Sequence, residues 1–556
     1  MSVRWMPASL KRSEAMAVVM ILIRISFVIL SFIFSPAVFA IPGGVLSSFS
    51  TPGDWPTGLA WDGRYLWCAD AREGMIYALD REDGSVQEVF PSPASSPQGL
   101  AWGRGRLYIA DGTTGTIYIF DVKTKRTERW YKLLGPSPRG LAWDNGGLWL
   151  VDDRRDVIYK LNPEDGTLID YFKAPAGDAW GICFDGKYLW VSDRITDEIY
   201  MISTDGVVIL SFKAPGPFAT GLAWDGNFLW VNDFQDDVVY RMKRNDDEKY
   251  AVTDWRETII EFTHRVQNLG PGRLEDVKVY IATPPDRLEN QELLEIDFTP
   301  QPDSFTIDRW GQRVAICSFP EVNPGEQISA GYRAKARIGN LRYYLFPDKV
   351  GTLQDIPEEI VNKYLVNGSK YRIDNPSIKG VARKIIGSEK NPYWIARRIH
   401  KYVIENVRYE AAGGWDAAPV ILKRGTGSCS ESVFLFIALC RAAGLPARFE
   451  AGSLIRGDLT SIDYDNHRWA EVYLPKYGWV PFDPSIGGGH SPAGVARAVG
   501  RTDVIGGPHP GLFVTTHGGG DSEYLGWNYN SYATYTFREK CNVRAERWFL
   551  WDVPKR

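Results

Sequence analysis

The chain of 556 residues is 44% hydrophobic and 24% charged, with 54 Gly, 34 Pro and a formal net charge of −4; at about 150 residues per domain, three or four domains are expected. This composition excludes collagen-like, coiled-coil and wholly disordered chains. The near balance of charge, with no locally basic domain, leaves no electrostatic footprint for nucleic acid.

Residues 1–40 read as a signal peptide. Arg4, Lys11 and Arg12 precede an apolar run from Ala17 to Phe34, and Val38-Phe39-Ala40 places small residues where a signal peptidase cuts. The expectation is an exported protein, secreted or periplasmic. The competing reading is an uncleaved membrane anchor with Arg24 snorkelling, and only then is a membrane a partner. Six scattered cysteines (Cys68, Cys183, Cys317, Cys429, Cys440 and Cys541) offer no Cys-x-x-Cys, and no His-x-x-x-His accompanies them, so neither a metal nor a cofactor is expected. Disulfides stay unassigned, with one exclusion: Cys429 and Cys440 share a predicted helix and stand about 16 Å apart.

Residues 41–246 are repetitive. Gly58-Leu-Ala-Trp61, Gly99-Leu-Ala-Trp102, Gly140-Leu-Ala-Trp143, Gly181-Ile-Cys-Phe184 and Gly221-Leu-Ala-Trp224 begin at intervals of 41, 41, 41 and 40 residues. An Asp lies twelve residues after each Gly (Asp70, Asp111, Asp152, Asp193, Asp233) and a Tyr nineteen after (Tyr77, Tyr118, Tyr159, Tyr200, Tyr240). Each unit holds four short β-like runs between Gly- and Asp-rich turns, so each is one blade of a five-bladed β-propeller. The fifth unit lacks its last strand, and Gly44 to Phe49 resembles a unit end, so an N-terminal strand is expected to close the ring and cover the exposed sheet edges. The repeats resemble propellers of the streptogramin-lyase and NHL type, which have more blades. The repeated Asp residues are expected to cap turns rather than to bind a cation. No His occurs in the five units, which counts against chemistry in the propeller.

Residues 247–345 alternate as Thr258 to Val266, Asp276 to Ile281, Val314 to Ser318 and Gln327 to Ala334, between turns such as Asn323-Pro-Gly325. This pattern predicts an immunoglobulin-like β-sandwich, with His264 in a structural role. From about Ile356 the period turns helical, through Ile360, Tyr364, Ala382, Ile385, Trp394, Ile395, Ile399 and Val403. Residues 346–500 are therefore read as an α+β domain.

That domain holds the most informative stretch. Ser428 and Glu431 have the spacing of a capping box, which makes Cys429 the first helical residue, and Gly444 with Pro446 ends the helix. Unpaired N–H groups and the helix dipole favour an anion at that position and lower the thiol pKa. Asn466-His467-Arg-Trp-Ala-Glu-Val-Tyr473-Leu474 reads as a strand, Pro475 to Gly478 as a turn, and Trp479-Val-Pro-Phe-Asp483-Pro as the returning strand. His467 is then the candidate base for the thiol and Asp483 the candidate to orient the imidazole. Pairing Leu474 with Trp479 places Asp483 opposite Ala470, so a bulge or strong twist is needed to bring it to His467. Of the other histidines, His400 lies in the lead-in helix, while His490, His509 and His517 occupy Gly/Pro-rich sequence; all are given loop or surface roles. Residues 501–556 are read as a β extension whose strands cover the core, including Tyr532 to Phe537 and Trp548 to Trp551.

The order Gly-Ser-Cys429-Ser-Glu, Ala-Gly-Leu-Pro-Ala-Arg448, Asn-His467-Arg-Trp-Ala-Glu-Val-Tyr and Gly-Trp-Val-Pro-Phe-Asp483-Pro-Ser resembles the transglutaminase-like superfamily of papain-type cysteine enzymes, over roughly Asn391 to Gly488. The resemblance implies that Cys429 is the nucleophile, His467 the general base and then acid, and Asp483 the orienting carboxylate. The backbone N–H of Cys429 is placed to meet an oxyanion, with Trp415 as a candidate second donor. Exported microbial relatives of this core are thought to be mainly hydrolases. The expected activity is cleavage of protein or peptide amides through a Cys429 acyl-enzyme, with the propeller docking a protein or glycan ligand by fold analogy alone. A protein-crosslinking transglutaminase and an inactive binding scaffold are the alternatives.

Overall fold

The computed structural model describes residues 42–133, 135, 137–244, 248–410, 414–454, 460–463, 466–485, 505–507 and 511–552. The predicted signal segment, His490 and His509 lie outside them. The chain divides into two compact units, Met1–Glu248 and Lys249–Arg556.

The first unit consists of five four-stranded antiparallel sheets, one per sequence repeat, arranged as propeller-like blades. The first is built from Pro56–Trp61, Leu66–Asp70, Met75–Leu79 and Val86–Pro91. The fifth takes its outer strand from Val45–Ser50, which pairs with Val238–Lys243 and closes the ring as the pattern requires. The period of the glycines has a steric cause. A Cβ on Gly58, Gly99 or Gly181 would lie 2.6 Å from the carbonyl oxygen of Gln98, Arg139 or Thr220 on the next blade. The innermost strands thus approach so closely that the axis encloses only about 10 Å³, room for about one water. The repeated Asp residues fasten turns: Asp70 accepts from the N–H groups of Trp55, Arg72 and Glu73, and Asp233 from those of Phe218, Gln235 and Asp236. The structure adds a second repeated Asp to the one the sequence pattern singles out. Asp62, Asp144, Asp185 and Asp225 accept from the indole N–H of Trp67, Trp149, Trp190 and Trp230 at 2.7–3.0 Å. The second blade has Gly103 and Tyr108 at these two places, so the acid is missing where its indole is missing.

The second unit begins with long strands β1 (Tyr250–Pro271), β2 (Leu274–Ala282), β3 (Gln291–Thr299), β4 (Ser304–Ile307), β5 (Arg313–Val322) and β6 (Gln327–Tyr343). Helices α1 (Glu358–Tyr364), α2 (Pro376–Ile386), α3 (Pro392–Asn406), α4 (Ala418–Arg424) and α5 (Cys429–Ala442) follow. Strands β7 (Ala447–Leu454), β8 (Thr460–Asp463), β9 (His467–Leu474), β10 (Gly478–Phe482), β11 (Leu512–Gly518), β12 (Ser531–Phe537) and β13 (Cys541–Asp552) complete it. Two sheets, ordered β3-β6-β1-β13-β8 and β4-β5-β2-β12, share one apolar core that includes Phe262, Val279, Cys317, Ala334, Phe549 and Trp551.

The C-terminal strands depart from expectation. Instead of covering the helical core as a separate extension, β13 pairs with β1 (Phe262 opposite Phe549) and β12 with β2 (Tyr280 opposite Tyr532). Alternation in Trp548-Phe-Leu-Trp551 buries Phe549 and Trp551 completely, Phe549 against the ring of Phe262 on β1 and Trp551 against that of Phe513 on β11. His264 is the structural histidine expected on β1. It is buried, its Nδ1 lies 2.8 Å from Ser531 Oγ, and burial pulls its pKa down to about 3.

A third sheet, ordered β10-β9-β7-β11, packs on α5. Apolar nearly all round, α5 is buried from Cys429 to Arg441, because α2, α3 and α4 pack against it as well as the sheet. Asn375 and Asn391 cap α2 and α3 by accepting N–H groups of the first turn, each with a Pro at the first helical position. The result is a central helix held rigidly enough to aim its first residue.

Candidate active site

Cys429 opens α5 as the capping box predicts. Ser428 Oγ accepts from the Glu431 N–H, and Glu431 Oε2 accepts from the Ser428 N–H at 3.0 Å. Glu431 does more than cap. Its Oε1 accepts from the Asp416 N–H at 3.1 Å and from Arg424 Nη2 at 2.9 Å, and Arg424 Nη1 also reaches Asp416 Oδ2 at 2.7 Å. The segment that carries Trp415 is thereby tied to the start of the helix. Cys440, halfway along α5, is a buried apolar filler whose thiol is pushed up by burial. None of the six cysteines is in a disulfide.

His467 is the first residue of β9, and Asp483 follows the last residue of β10. The hairpin pairs Leu474 with Gly478 and Ala470 with Phe482, one residue away from the expected register. Gly478, at φ +88°, is the reason: it serves as the first strand residue and not the last turn residue. Continued one step, this register sets Asp483 opposite Trp469. Residues directly opposite share a face, as do residues two apart on one strand, so Asp483 becomes a diagonal neighbour of His467 without a bulge. Asp483 Oδ2 lies 2.5 Å from His467 Nε2. The imidazole also hydrogen-bonds Cys429, and Nδ1 is the nitrogen left free to do so. All three side chains are nearly enclosed, at 8%, 5% and 5% exposure for Cys429, His467 and Asp483.

Burial alone works against three charged groups here, and the contacts outweigh it. Burial pushes the Cys429 thiol up, yet the hydrogen bond and charge of His467, with the Arg468 backbone N–H, bring it below its ordinary value. Burial pulls His467 down, but the Asp483 carboxylate and the thiol raise it to about 10. Asp483 is held below the usual carboxylate range despite its burial, by His467 and by Ser485. The arrangement favours a thiolate beside an imidazolium, the activated form of a nucleophilic cysteine.

Ser485, His400 and Tyr529 touch this site without a part in it being assigned from the sequence. Ser485 donates from Oγ and from its backbone N–H to Asp483 Oδ1, at 2.6 and 2.9 Å; the Asp-Pro-Ser spacing of an Asx turn is a local signal for it. His400, expected in a loop or surface role, is buried in α3 with Nε2 2.8 Å from the Asp483 carbonyl oxygen. His517, expected likewise, lies on β11, where burial lowers its pKa to about 4. Tyr529 hydrogen-bonds Ser430 and lies close enough to Cys429 for the two charges to interact, so burial and the thiolate both raise its pKa. Trp415, 39% exposed, packs its ring 6.1 Å from those of Phe434 and Tyr529, with the Arg468 guanidinium 4.9 Å away. Among the described residues no His, Cys, Asp and Glu are grouped to hold a metal ion, and no helix is long and apolar enough to cross a membrane.

Residues 379–484 match the Transglutaminase-like superfamily, so the chain carries a transglutaminase-like core over the helices and strands that bear Cys429, His467 and Asp483. An uncharacterized protein of Haemophilus influenzae is 31% identical over 157 residues, which are 23% of this chain and 42% of that protein. The chain thus spans less than half the length of this curated relative. Among solved structures, a putative cysteine protease from Cytophaga hutchinsonii is similar at 17% identity over 54% of this chain and 92% of its own, with a TM-score of 0.37. Virginiamycin B lyase from Staphylococcus aureus is similar at 18% identity over 37% of this chain and 75% of its own, with a TM-score of 0.26.

Proposed function

We propose that this protein is an exported thiol hydrolase that cleaves protein or peptide amide bonds through an acyl-enzyme on Cys429, with the propeller as a docking module. The observation that supports it most is a buried thiol at a helix start, bonded to an imidazole that is itself bonded to a buried carboxylate at 2.5 Å.

In this reading Cys429 Sγ gives its proton to His467, and the thiolate attacks the carbonyl carbon of the amide. The developing oxyanion meets the Cys429 backbone N–H, one of the donors left unpaired at a helix start; a donor of this kind is worth about 3–4 kcal/mol where one has been removed elsewhere. Trp415 is the candidate second donor, held close by Glu431. His467 passes its proton to the departing amine, leaving a thioester on Cys429. The imidazole then takes a proton from water, whose oxygen attacks the thioester. The acid leaves and Sγ is restored, while Asp483 stays ionised throughout and keeps the ring oriented.

The test uses p-nitrophenyl acetate as an acyl donor and labelled casein as an amide substrate. The expected result is acetylation of Cys429, found by peptide mass spectrometry, together with release of new amines from casein, both abolished in folded Cys429→Ala and His467→Ala. Casein cleavage that persists in folded Cys429→Ala overturns the reading. Incorporation of an added amine in preference to hydrolysis overturns the hydrolytic half of it.

A further inference from the structure

A cavity of about 520 Å³ opens against β7, β9 and β10, and Cys429, His467 and Asp483 do not line it. Alternation along these strands turns Arg448 and Glu450 of β7, Trp469 and Glu471 of β9, and Trp479 of β10 toward the same space. Tyr343 and Tyr250 complete the wall from β6 and β1, their rings 5.4 Å apart and Tyr250 38% exposed. A volume of this size is that of an ordinary small-ligand site.

The polar groups at the floor are unusual in what they leave unmatched. Arg448 Nε donates to Glu471 Oε2 at 2.6 Å, and its guanidinium lies 4.4 Å from the centre of the Trp479 ring, so that one charge of each sign is matched. Glu450, 6% exposed, hydrogen-bonds Glu471. Two carboxyls in contact share a proton, and burial, with Glu471 and Glu289 nearby, pushes Glu450 well above the usual carboxylate range, which makes it the neutral partner. Trp469 is 1% exposed, and its indole N–H is directed toward Glu450 but meets no acceptor at full hydrogen-bond geometry among the described residues. A buried donor without an acceptor is costly unless a ligand or water supplies one.

The ligand must therefore accept from an indole N–H, exchange hydrogen bonds with a carboxyl pair, and lay an apolar face on aromatic rings. An ammonium group offers no acceptor, and the charges that line the cavity are balanced, Arg448 against Glu471 at the floor and Arg287 with Glu289 adding one of each sign. A hydroxylated ring meets every requirement. We propose that this cavity binds a neutral sugar unit, seated against Tyr250 and Tyr343 with its hydroxyls on the Trp469 indole N–H and the Glu450–Glu471 pair. The Glu450–Glu471 pair cannot act as the two carboxyls of glycoside hydrolysis, which stand about 5 Å or more apart, because these two touch.

The experiment is saturation-transfer NMR and tryptophan fluorescence on the full chain with N,N′-diacetylchitobiose, cellobiose and maltotriose, and with 1,5-diaminopentane as the cationic comparison. The expected result is saturable binding of at least one sugar. It should be weakened about tenfold or more by Trp469→Phe, which keeps the ring but removes the N–H, and weakened also by Tyr250→Ala at the exposed wall. Glu450→Gln, neutral and of similar shape, should retain it, and Cys429→Ala should leave it unchanged. Failure of all three sugars to bind the folded protein overturns the proposal. So does binding indifferent to both Trp469→Phe and Tyr250→Ala, or binding of the diamine that is lost in Glu450→Gln.

Discussion

Replacing Asp483 with Asn keeps the shape of the site and removes only the charge. The amide oxygen of the variant side chain can still accept from the Ser485 N–H and Oγ, which hold the present Oδ1 at 2.9 and 2.6 Å. His467 nonetheless loses what chiefly raises its pKa to about 10, and burial then pulls it to or below its ordinary 6.5. At pH 7 the imidazolium disappears and the thiolate with it. A thiol at its ordinary value of 9.0 is about 1% ionised at pH 7, so alkylation of Cys429 should slow by roughly 100-fold or more. The assay is iodoacetamide labelling from pH 5 to 9, read at the Cys429 peptide, with buried Cys440 as an internal control that stays slow. The parent should label rapidly down to about pH 6, the variant only as pH approaches 9. Labelling of folded Asp483→Asn at pH 7 within threefold of the parent would refute the electrostatic account of the site.

Ser485→Ala removes one hydrogen bond to Asp483 and nothing else of note, so kcat/KM should fall several-fold while stability changes by less than about 1.5 kcal/mol, a split that kinetics and thermal unfolding resolve. The folded-state pKa of His467 is raised, so its stabilising effect is complete below pH 6.5 and is lost as pH climbs to about 10. The Tm advantage of the parent over His467→Gln should therefore shrink across that interval; an advantage that grows with pH would contradict the raised pKa. In the propeller, Gly99→Ala drives a Cβ to 2.6 Å from the Arg139 carbonyl oxygen, whereas Gly177→Ala meets nothing nearer than 3.6 Å. The first should lower the stability of the first unit by about 1–3 kcal/mol and the second by much less, as denaturant unfolding followed by tryptophan emission will report.

What could be read in the sequence is what local chemistry writes there. The capping box placed Cys429 on the first turn of its helix because Ser428 and Glu431 need only each other's backbone. The repeated glycines announced the blades because every inner strand meets the same neighbour at the same height. Pairings across long stretches of chain left no such mark. Nothing near Phe549 indicates that its partner is Phe262, and nothing near His400 shows that it will hold the carbonyl of Asp483. The hairpin register lies between these cases: its turn was evident, but whether Gly478 ends the turn or begins the strand shifts every side chain to the other face.

The enclosed Cys429 thiol shares its surroundings with a second costly group, the Arg468 side chain. This residue is 0% exposed, with its guanidinium 4.5 Å from the ring centres of both Phe449 and Tyr529 and with Nη2 donating to the Trp527 carbonyl at 2.7 Å. Nε and Nη1 have no hydrogen-bond partner among the described residues. A buried cation without a carboxylate costs several kcal/mol, of which the ring contacts return about 2 kcal/mol each at best. The site thus retains an expensive charge, which burial disfavours and which Tyr529, Tyr371 and, after them, the Cys429 thiolate support. With the imidazolium beside it and the Arg468 N–H on the sulfur, the thiolate is held by positive charge from one segment of β9. Cys440, on the same helix and fully buried, has only the Arg441 guanidinium to oppose burial, and there burial prevails.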